Sequence, residues 1–337
     1  MMSFRSSLAW ALSLASLLFA PLTHAHSFHH HAEEHTSHEA PLPERLAEAQ
    51  ALLAGYQKSG DESAVARAAA LVGDAADAPD ADTLTLTTAA AVAQATHRFD
   101  QALDLLDRAI SRAPRDTQAR LLRAAVRRVR GDLAGSAEDC RAIGHHGLEL
   151  RIGCLGAAAQ TGDDKRRAYD ALIAVLDAGV AKTPTAQWLH SVAGDLATSL
   201  GYEAEAIAQY EAALSKGENG QVRAALVDRL LDAGRFEDAL DTAGEGGEQL
   251  ALAVRRYIAA ERLGQLSRVK AEVDLTRHQF EDLAAAGDYE HAREMARFYL
   301  DVDFNLALAA RFARLNFADQ REAEDLALMQ RTGQLAN

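Results

Sequence analysis

Six of the chain's thirteen histidines lie in one short segment near its beginning, HSFHHHAEEHTSHE. Neutral imidazoles bind zinc, copper and nickel, and a tract this rich in histidine is able to collect such a metal without a folded site. The alternative is a solvated linker whose histidines change charge near pH 6.5. The composition favours neither interpretation. The candidate metal ligands are His26, His29, His30, His31, His35 and His38.

The same segment contains a pattern found in one family of zinc peptidases. His31, Glu34 and His35 match H-x-x-E-H. That pattern needs a packed helix with a third ligand beside it, whereas here it lies in a polar segment with little to pack. A secreted zinc enzyme is therefore a distant alternative.

The first 25 residues have the layout of a secretory signal peptide. Arg5 precedes an apolar run from Leu8 to Ala20, and the residues before Ala25 permit cleavage after it. The run is shorter than the roughly 20 residues that a membrane-spanning helix needs. The excess of arginine over lysine is typical of a GC-rich bacterial genome. We therefore predict a periplasmic or secreted mature chain with no membrane span.

Composition narrows the function. A net charge of -14 argues against nucleic acid as a partner. The sequence has no nucleophile elbow, P-loop, dinucleotide fingerprint or haem-attachment motif. We expect a binding protein rather than an enzyme, with no cofactor required.

The two cysteines, Cys140 and Cys154, have His145 and His146 between them. Two thiolates and two imidazoles are able to hold a tetrahedral zinc ion. In an exported protein with no other cysteine, a disulfide is the simpler pairing. We predict the disulfide, with the zinc site as its alternative.

The elements that position these residues are helices. Residues 26–43 form a tail that ends at Pro41 and Pro43, and from Glu44 onward apolar residues recur at three- and four-residue spacing. Because alanine and leucine dominate and aromatic residues make up 6% of the chain, we predict an all-α fold with an alanine and leucine core. Six turn residues, 30 to 39 positions apart, mark an internal repeat. They are His97, Gly131, Gly162, Gly201, Gly234 and Gly264.

This repeat resembles the tetratricopeptide repeat, of the kind found in secreted or periplasmic bacterial proteins. The resemblance implies a right-handed α-solenoid of about seven or eight helix pairs over residues 44–337. Small residues on one helix would let bulky residues on its partner approach closely. The matching positions are Ala90, Phe99, Ala102, Leu106, Ala109 and Pro114 in one unit, and Gly194, Gly201, Tyr202, Ala206, Tyr210 and Ala213 in another. The repeat register also places the two cysteines on neighbouring helices, close enough for a disulfide.

Such a solenoid has a concave surface suited to another polypeptide. The register places five candidate partner-binding residues on it: Arg128, Trp188, Asp195, Asp228 and Asp232. Two of them have alternatives. An arginine-rich helix like the one around Arg128 is more often a solvated face paired with carboxylates, and Trp188 is equally a core residue. The leading hypothesis is a periplasmic scaffold that binds a protein or peptide in the cell envelope. The alternative is a metal-handling protein whose histidine tail gathers zinc, copper or nickel.

Overall fold

We analysed a computed structural model of the chain, which describes residues 40–144, 147–179, 181, 183–244 and 249–335. The predicted signal peptide, all six candidate histidine ligands and the pair His145 and His146 lie outside these ranges. Within them every regular element is a helix, as the sequence predicts. No helix of the described ranges combines the length and the apolar character needed to cross a membrane.

The α-helices of the described ranges are numbered here in chain order. They are α1 (Leu42–Ser59), α2 (Glu62–Val72), α3 (Thr83–Ala95), α4 (Phe99–Arg112), α5 (Thr117–Val129), α6 (Leu133–Arg141), α7 (Leu148–Ala157), α8 (Gly162–Asp177), α9 (Thr183–Leu200), α10 (Glu203–Leu214), α11 (Gly220–Asp232), α12 (Phe236–Ala243), α13 (Leu250–Arg262), α14 (Lys270–Ala286), α15 (Ala292–Asp301), α16 (Leu306–Asp319) and α17 (Ala323–Arg331). Two short 3-10 helices cover Ala75–Asp77 and Leu266–Val269.

Consecutive helices pack against each other in pairs, and each pair packs on the next. The predicted α-solenoid of helix pairs is confirmed. Helix α1 begins at Leu42, two residues before the predicted start of the solenoid, with Pro43 in its first turn. Proline is tolerated there because the first amides of a helix have no intrahelical acceptor.

Turn residues within the pairs allow the chain to reverse direction. His97 has a φ of 55°, and Gly131, Gly201, Gly234 and Gly264 also have positive φ. Glycine adopts this left-handed conformation at no steric cost, and histidine adopts it more readily than most other residues.

Gly162 does not follow this pattern. It is the first residue of α8, and the side chain of Thr161 caps that helix by accepting a hydrogen bond from the amide of Asp164 at 3.1 Å. The prediction of a turn glycine at this position was wrong, because a threonine N-cap starts the helix here.

Small residues separate the helices where the repeat register places them. Ala206 is fully buried in α10, and a Cβ atom added to Gly194 in α9 would lie 2.6 Å from the ring of Tyr210. The glycine therefore sets how closely α9 and α10 approach. Near the end of the chain the core differs from the predicted alanine and leucine core. There aromatic rings fill it, namely Phe280, Phe298, Tyr299 and Phe312.

Cys140 near the end of α6 and Cys154 in α7 form a disulfide, as predicted. Their Cα atoms are 5.4 Å apart and both side chains are buried. Neither thiol is free to bind zinc, which removes the alternative metal site at these cysteines. The bond joins the pair α5/α6 to the pair that follows it.

The array also closes on itself, which the solenoid prediction did not include. The Nε2 atom of Gln249 donates to the carbonyl of Lys58 at 3.1 Å, and His291, the N-cap of α15, contacts Glu62 in α2 at 2.8 Å. In a simple solenoid each unit contacts mainly its neighbours. Here the curvature brings α15 to α17 round to the first five helices, so the last helices face the first.

Candidate functional site

Helix α17 lies inside the curved array. We use the term inner face for the surface that α5, α9, α11, α13 and α15 present to it. The backbone amide of Arg321, just before α17, donates to the carbonyl of Val129 at the end of α5 at 2.7 Å. The side chain of Arg130 forms an ion pair of 2.6 Å with Asp319. The chain's own last helix thus occupies the surface that the repeat resemblance assigns to a partner.

The first turn of α17 is acidic, and its acidic side chains point into the array. Glu322 is the N-cap and Asp325 the third helical residue, and each caps the backbone amide of the other in a capping box. Glu322, Glu324 and Asp325 are all buried. Carboxylates at the start of a helix are stabilised by the helix dipole, which helps to explain why three fit within four residues.

Arginines of the inner face bind these carboxylates. Glu322 forms ion pairs with Arg128 of α5 at 2.5 Å and with Arg293 of α15 at 3.0 Å. Arg293 also holds Asp325 through two hydrogen bonds of 2.7 and 2.9 Å. The paired geometry of the guanidinium and the carboxylate makes this a strong, directional contact.

A second group of ion pairs continues the network along α17. Arg297 of α15 contacts Glu324 at 3.0 Å and Asp228 of α11 at 2.8 Å. Arg255 of α13 contacts Asp228 at 2.7 Å. We call the eight residues together the buried ion cluster. It consists of Arg128, Asp228, Arg255, Arg293, Arg297, Glu322, Glu324 and Asp325.

The cluster shifts the pKa values of its members in opposite directions. Burial alone would raise the pKa of Asp228, but the charges of Arg255 and Arg297 outweigh it and hold the pKa below its usual range. Burial raises the pKa of Asp325 to about 6, and Arg293 offsets this only in part. The four arginines and the four carboxylates are balanced in charge.

Buried ion pairs are weak evidence for stability, because desolvation offsets much of their attraction. Their best-attested role is to fix one arrangement against others. At this site the four arginines are matched by the carboxylates of α17 and by Asp228. The cluster therefore favours one position of α17 on the inner face over others.

The five predicted partner-binding residues fall in three places. Arg128 and Asp228 belong to the buried ion cluster. Asp195 lies beside it and accepts a hydrogen bond from the hydroxyl of Tyr210. Asp232 is exposed at the edge of a 340 Å³ cavity next to α17, where it pairs with Arg229 at 3.0 Å. The sequence register thus brings four of the five to the inner face or its edge.

Trp188 is a core residue, so its prediction as a surface anchor was wrong. Its side chain is buried, and a Cβ atom added to Gly153 would lie 2.5 Å from its ring. The glycine makes room for the indole between α7 and α9. Trp188 therefore presents no surface to a partner.

The rest of the arginine-rich helix matches the alternative given for it. Arg123 and Arg127 both bind the buried carboxylate of Asp139 in α6, at 2.6 and 2.9 Å. These arginines hold one helix pair together and lie apart from the buried ion cluster. Among the arginines of this helix, Arg128 is the one that binds the start of α17.

Sequence reasoning missed six members of the buried ion cluster. Arg293 and Arg297 are four residues apart on α15, which places two arginines on one helix face among apolar neighbours. The segment REAED before the last apolar positions carries the acidic capping signal of α17. Both signals are present in the sequence. Which arginine binds which carboxylate depends on the curvature of the whole array.

Metal binding stays a prediction. Within the part of the chain that the structure describes, no group of three or more histidine, cysteine or acidic residues could hold a metal ion. The six candidate histidine ligands lie outside that part.

Comparisons with known proteins concern the fold alone. No protein-family model matches the sequence. No curated protein matches it either. A thermophilic tetratricopeptide-repeat protein of Thermus thermophilus is similar in structure with 22% identity and a TM-score of 0.46, over 52% of this chain and 98% of that one.

A tetratricopeptide-repeat protein of Parabacteroides merdae is similar over 85% of this chain and 99% of that one, with 13% identity and a TM-score of 0.42. The helix-pair array is consistent with tetratricopeptide-like repeats. The pairwise packing of consecutive helices shows that the chain is a helical-repeat array.

Proposed function

We propose that this protein is an exported, periplasmic scaffold that binds a protein or peptide partner on its inner face. One observation carries the proposal. The inner face already holds a polypeptide segment, because α17 lies on it with three buried carboxylates bound by four arginines from three other helices. A surface that recognises one acidic helix is chemically suited to another.

The chemistry of the inner face specifies the partner's segment. The partner's segment carries carboxylates at positions equivalent to Glu322, Glu324 and Asp325, in the first turn of a helix. Basic segments are excluded because they would leave the arginines buried and unpaired, which costs several kcal/mol. The partner is thus an acidic helical segment, and the role of the protein is binding rather than catalysis.

Helix α17 competes with any such partner. It follows α16 after a short connection, so its effective concentration at the inner face is on the order of millimolar or higher. A partner must therefore bind more tightly than α17 does. The affinity of α17 for the inner face is thus the value that a partner's affinity has to exceed.

Export is supported by two features. The amino-terminal 25 residues have the composition of a signal peptide, and a disulfide such as Cys140–Cys154 persists in oxidising compartments. Amino-terminal sequencing of the mature protein should begin at His26. An intact Met1 on a cytoplasmic product would contradict the periplasmic part of the proposal.

The peptide-binding part is tested with a variant whose last helix is released. Glu322→Gln, Glu324→Gln and Asp325→Asn together remove the charges that hold α17. A labelled synthetic peptide of residues 318–335 is then titrated into the variant and into the unchanged protein. We expect tight binding to the variant, weak binding to the unchanged protein, and a rise in the melting temperature of the variant when peptide is added.

The matched control is the same peptide with the same three substitutions, which should not bind. The variant is also used to capture partners from an envelope extract, and the native peptide should displace them while the substituted peptide should not. Equal binding of both peptides, or no binding of either, would contradict recognition through the buried ion cluster.

A further inference from the structure

A cavity of about 160 Å³ remains open beside α17 on the inner face. It lies between the helix pairs that contain α5, α7 and α9, and residues 321–323 at the start of α17 form one of its sides. Sites for drug-sized molecules are larger, roughly 300 to 1,000 Å³. An occupant is therefore a small molecule or the end of a chain.

Two buried polar atoms at this cavity have no hydrogen-bond partner in the structure. One is Nη2 of Arg128, whose other terminal nitrogen binds Glu322. The second is Oδ2 of Asp195, whose other oxygen accepts from the hydroxyl of Tyr210. Both residues line the cavity. An unsatisfied buried polar atom costs about 1–3 kcal/mol, so the pair indicates a polar occupant.

The charge around the cavity favours an anion. Lys165 of α8 and Arg321 line it, and neither forms an ion pair with any described residue. Burial raises the pKa of Asp195 well above its usual value, against the opposing effects of Tyr210 and Arg128. Arg128 supplies a hydrogen-bond donor at this space, and Asp195 adds a second donor when it is protonated.

Most of the remaining lining is apolar. Leu133, Val192 and Leu196 line the cavity together with three alanines, and they fit a short aliphatic body. Ser199 and Glu322 also line it, and the carboxylate of Glu322 is bound by Arg128 and Arg293.

We infer that this cavity binds a carboxylate carried on a short aliphatic group. The carboxylate lies between Arg128, Asp195 and Lys165, and the aliphatic part packs on Val192 and Leu196. The group is supplied either by a free short-chain acid or by the carboxyl terminus of a polypeptide that ends in a small aliphatic residue. Because residues 321–323 form one of its sides, the site exists while α17 is in place. Its test therefore uses the intact protein and does not depend on the displacement of α17 by a partner.

Calorimetric titration of the intact protein at neutral pH tests the inference. One arm compares 3-methylbutanoate with 3-methylbutanamide, which has the same shape and no charge. The other compares acetyl-glycyl-valine bearing a free carboxylate with its carboxamide. Binding of either acid in preference to its amide supports the site, and the arm that responds identifies the source.

The variant Lys165→Gln should weaken binding of the acid about tenfold, since a charge-assisted hydrogen bond is worth about 1.5–3 kcal/mol. Lys216→Gln is the matched control, because Lys216 is exposed and does not line the cavity. Equal weakening by the two variants would show a general charge effect and overturn the site. No binding of either acid at millimolar concentration, or equal binding of acid and amide, would overturn it as well.

Discussion

At the scale of single residues, Asp228 provides the negative charge that two buried arginines of the inner face need. It is buried and contacts both Arg255 and Arg297. Two guanidinium groups at this place need a negative charge that does not depend on α17. Asp228 supplies it from α11, so part of the cluster stays compensated even when the last helix leaves.

We predict that Asp228→Asn destabilises the protein by about 3–5 kcal/mol, because it leaves Arg255 and Arg297 without a full countercharge. Asp238→Asn on the neighbouring helix α12 is the control. Asp238 pairs with Arg235 and both side chains are exposed, so its loss should cost less than about 1 kcal/mol. Urea unfolding measures both. Similar costs for the two variants would show that the cluster is not a buried network.

His97 makes stability depend on pH. Burial and the nearby charge of Arg293 lower its pKa from 6.5 to about 4, so the folded protein binds its proton less readily than the unfolded chain does. The neutral His97 ring therefore makes its full contribution to the free energy of unfolding above pH 6.5. This contribution is lost as the pH falls through 4.

We predict that His97→Asn removes this dependence, since asparagine also tolerates the φ of 55° at this position. Between pH 6.5 and 4 the unfolding free energy of the unchanged protein should fall by about 2 kcal/mol more than that of the variant, the ring being only partly buried. Urea titrations at several pH values measure the difference. Parallel pH profiles would contradict it.

At the scale of helices, much of the structure is predictable because the pattern is local. The three- and four-residue spacing predicts the helices, and the small residues Gly194 and Ala206 predict which faces meet. Predictions were wrong where the same residue type is compatible with two different structural positions. A glycine fits a turn as well as the first turn of α8, and a tryptophan fits an inner face as well as the space above Gly153.

Ala206 tests the packing between α9 and α10. We predict that Ala206→Leu costs about 1–3 kcal/mol, because the added methylenes have no space in a fully buried site. Glu203→Leu is the control on the same helix, where the side chain is exposed and the cost should be small. Thermal unfolding compares the two. Equal effects would contradict the repeat register.

The disulfide tests the junction of α6 and α7. Cys140 and Cys154 are 14 residues apart, and closing a loop of this length is worth about 3 kcal/mol in the chain-entropy model. We expect reduction to lower the unfolding free energy by about that amount. Mass measurement with an alkylating reagent should show no label before reduction and two labels after it. Two labels on the freshly isolated protein before reduction would contradict the bond.

At the scale of the whole molecule, closure of the array is the feature that the sequence could not predict. The repeat register places Arg128 and Asp228 on the inner face because it depends only on nearby residues. It does not indicate that Glu322, 194 positions from Arg128, is the partner. That contact depends on the total of the small rotations between successive helix pairs. A local sequence pattern does not predict this total.

Closure also changes what the concave surface offers. In an open solenoid the surface would be available to any complementary segment. Here α17 holds it through Glu322, Glu324 and Asp325. Under the proposed function, a partner would be selected by its acidic residues and by its ability to outcompete a tethered helix.

Hydrogen exchange of the α17 amides, measured by mass spectrometry on the intact protein, tests this account most directly. We predict strong protection of residues 323–331 in the free protein, because the helix lies inside the array with buried residues at its start. An excess of the peptide of residues 318–335 should make α17 exchange faster while α5, α13 and α15 keep their protection. Rapid exchange of α17 in the free protein, or unchanged protection with the peptide bound, would contradict the claim that the last helix occupies the partner's surface.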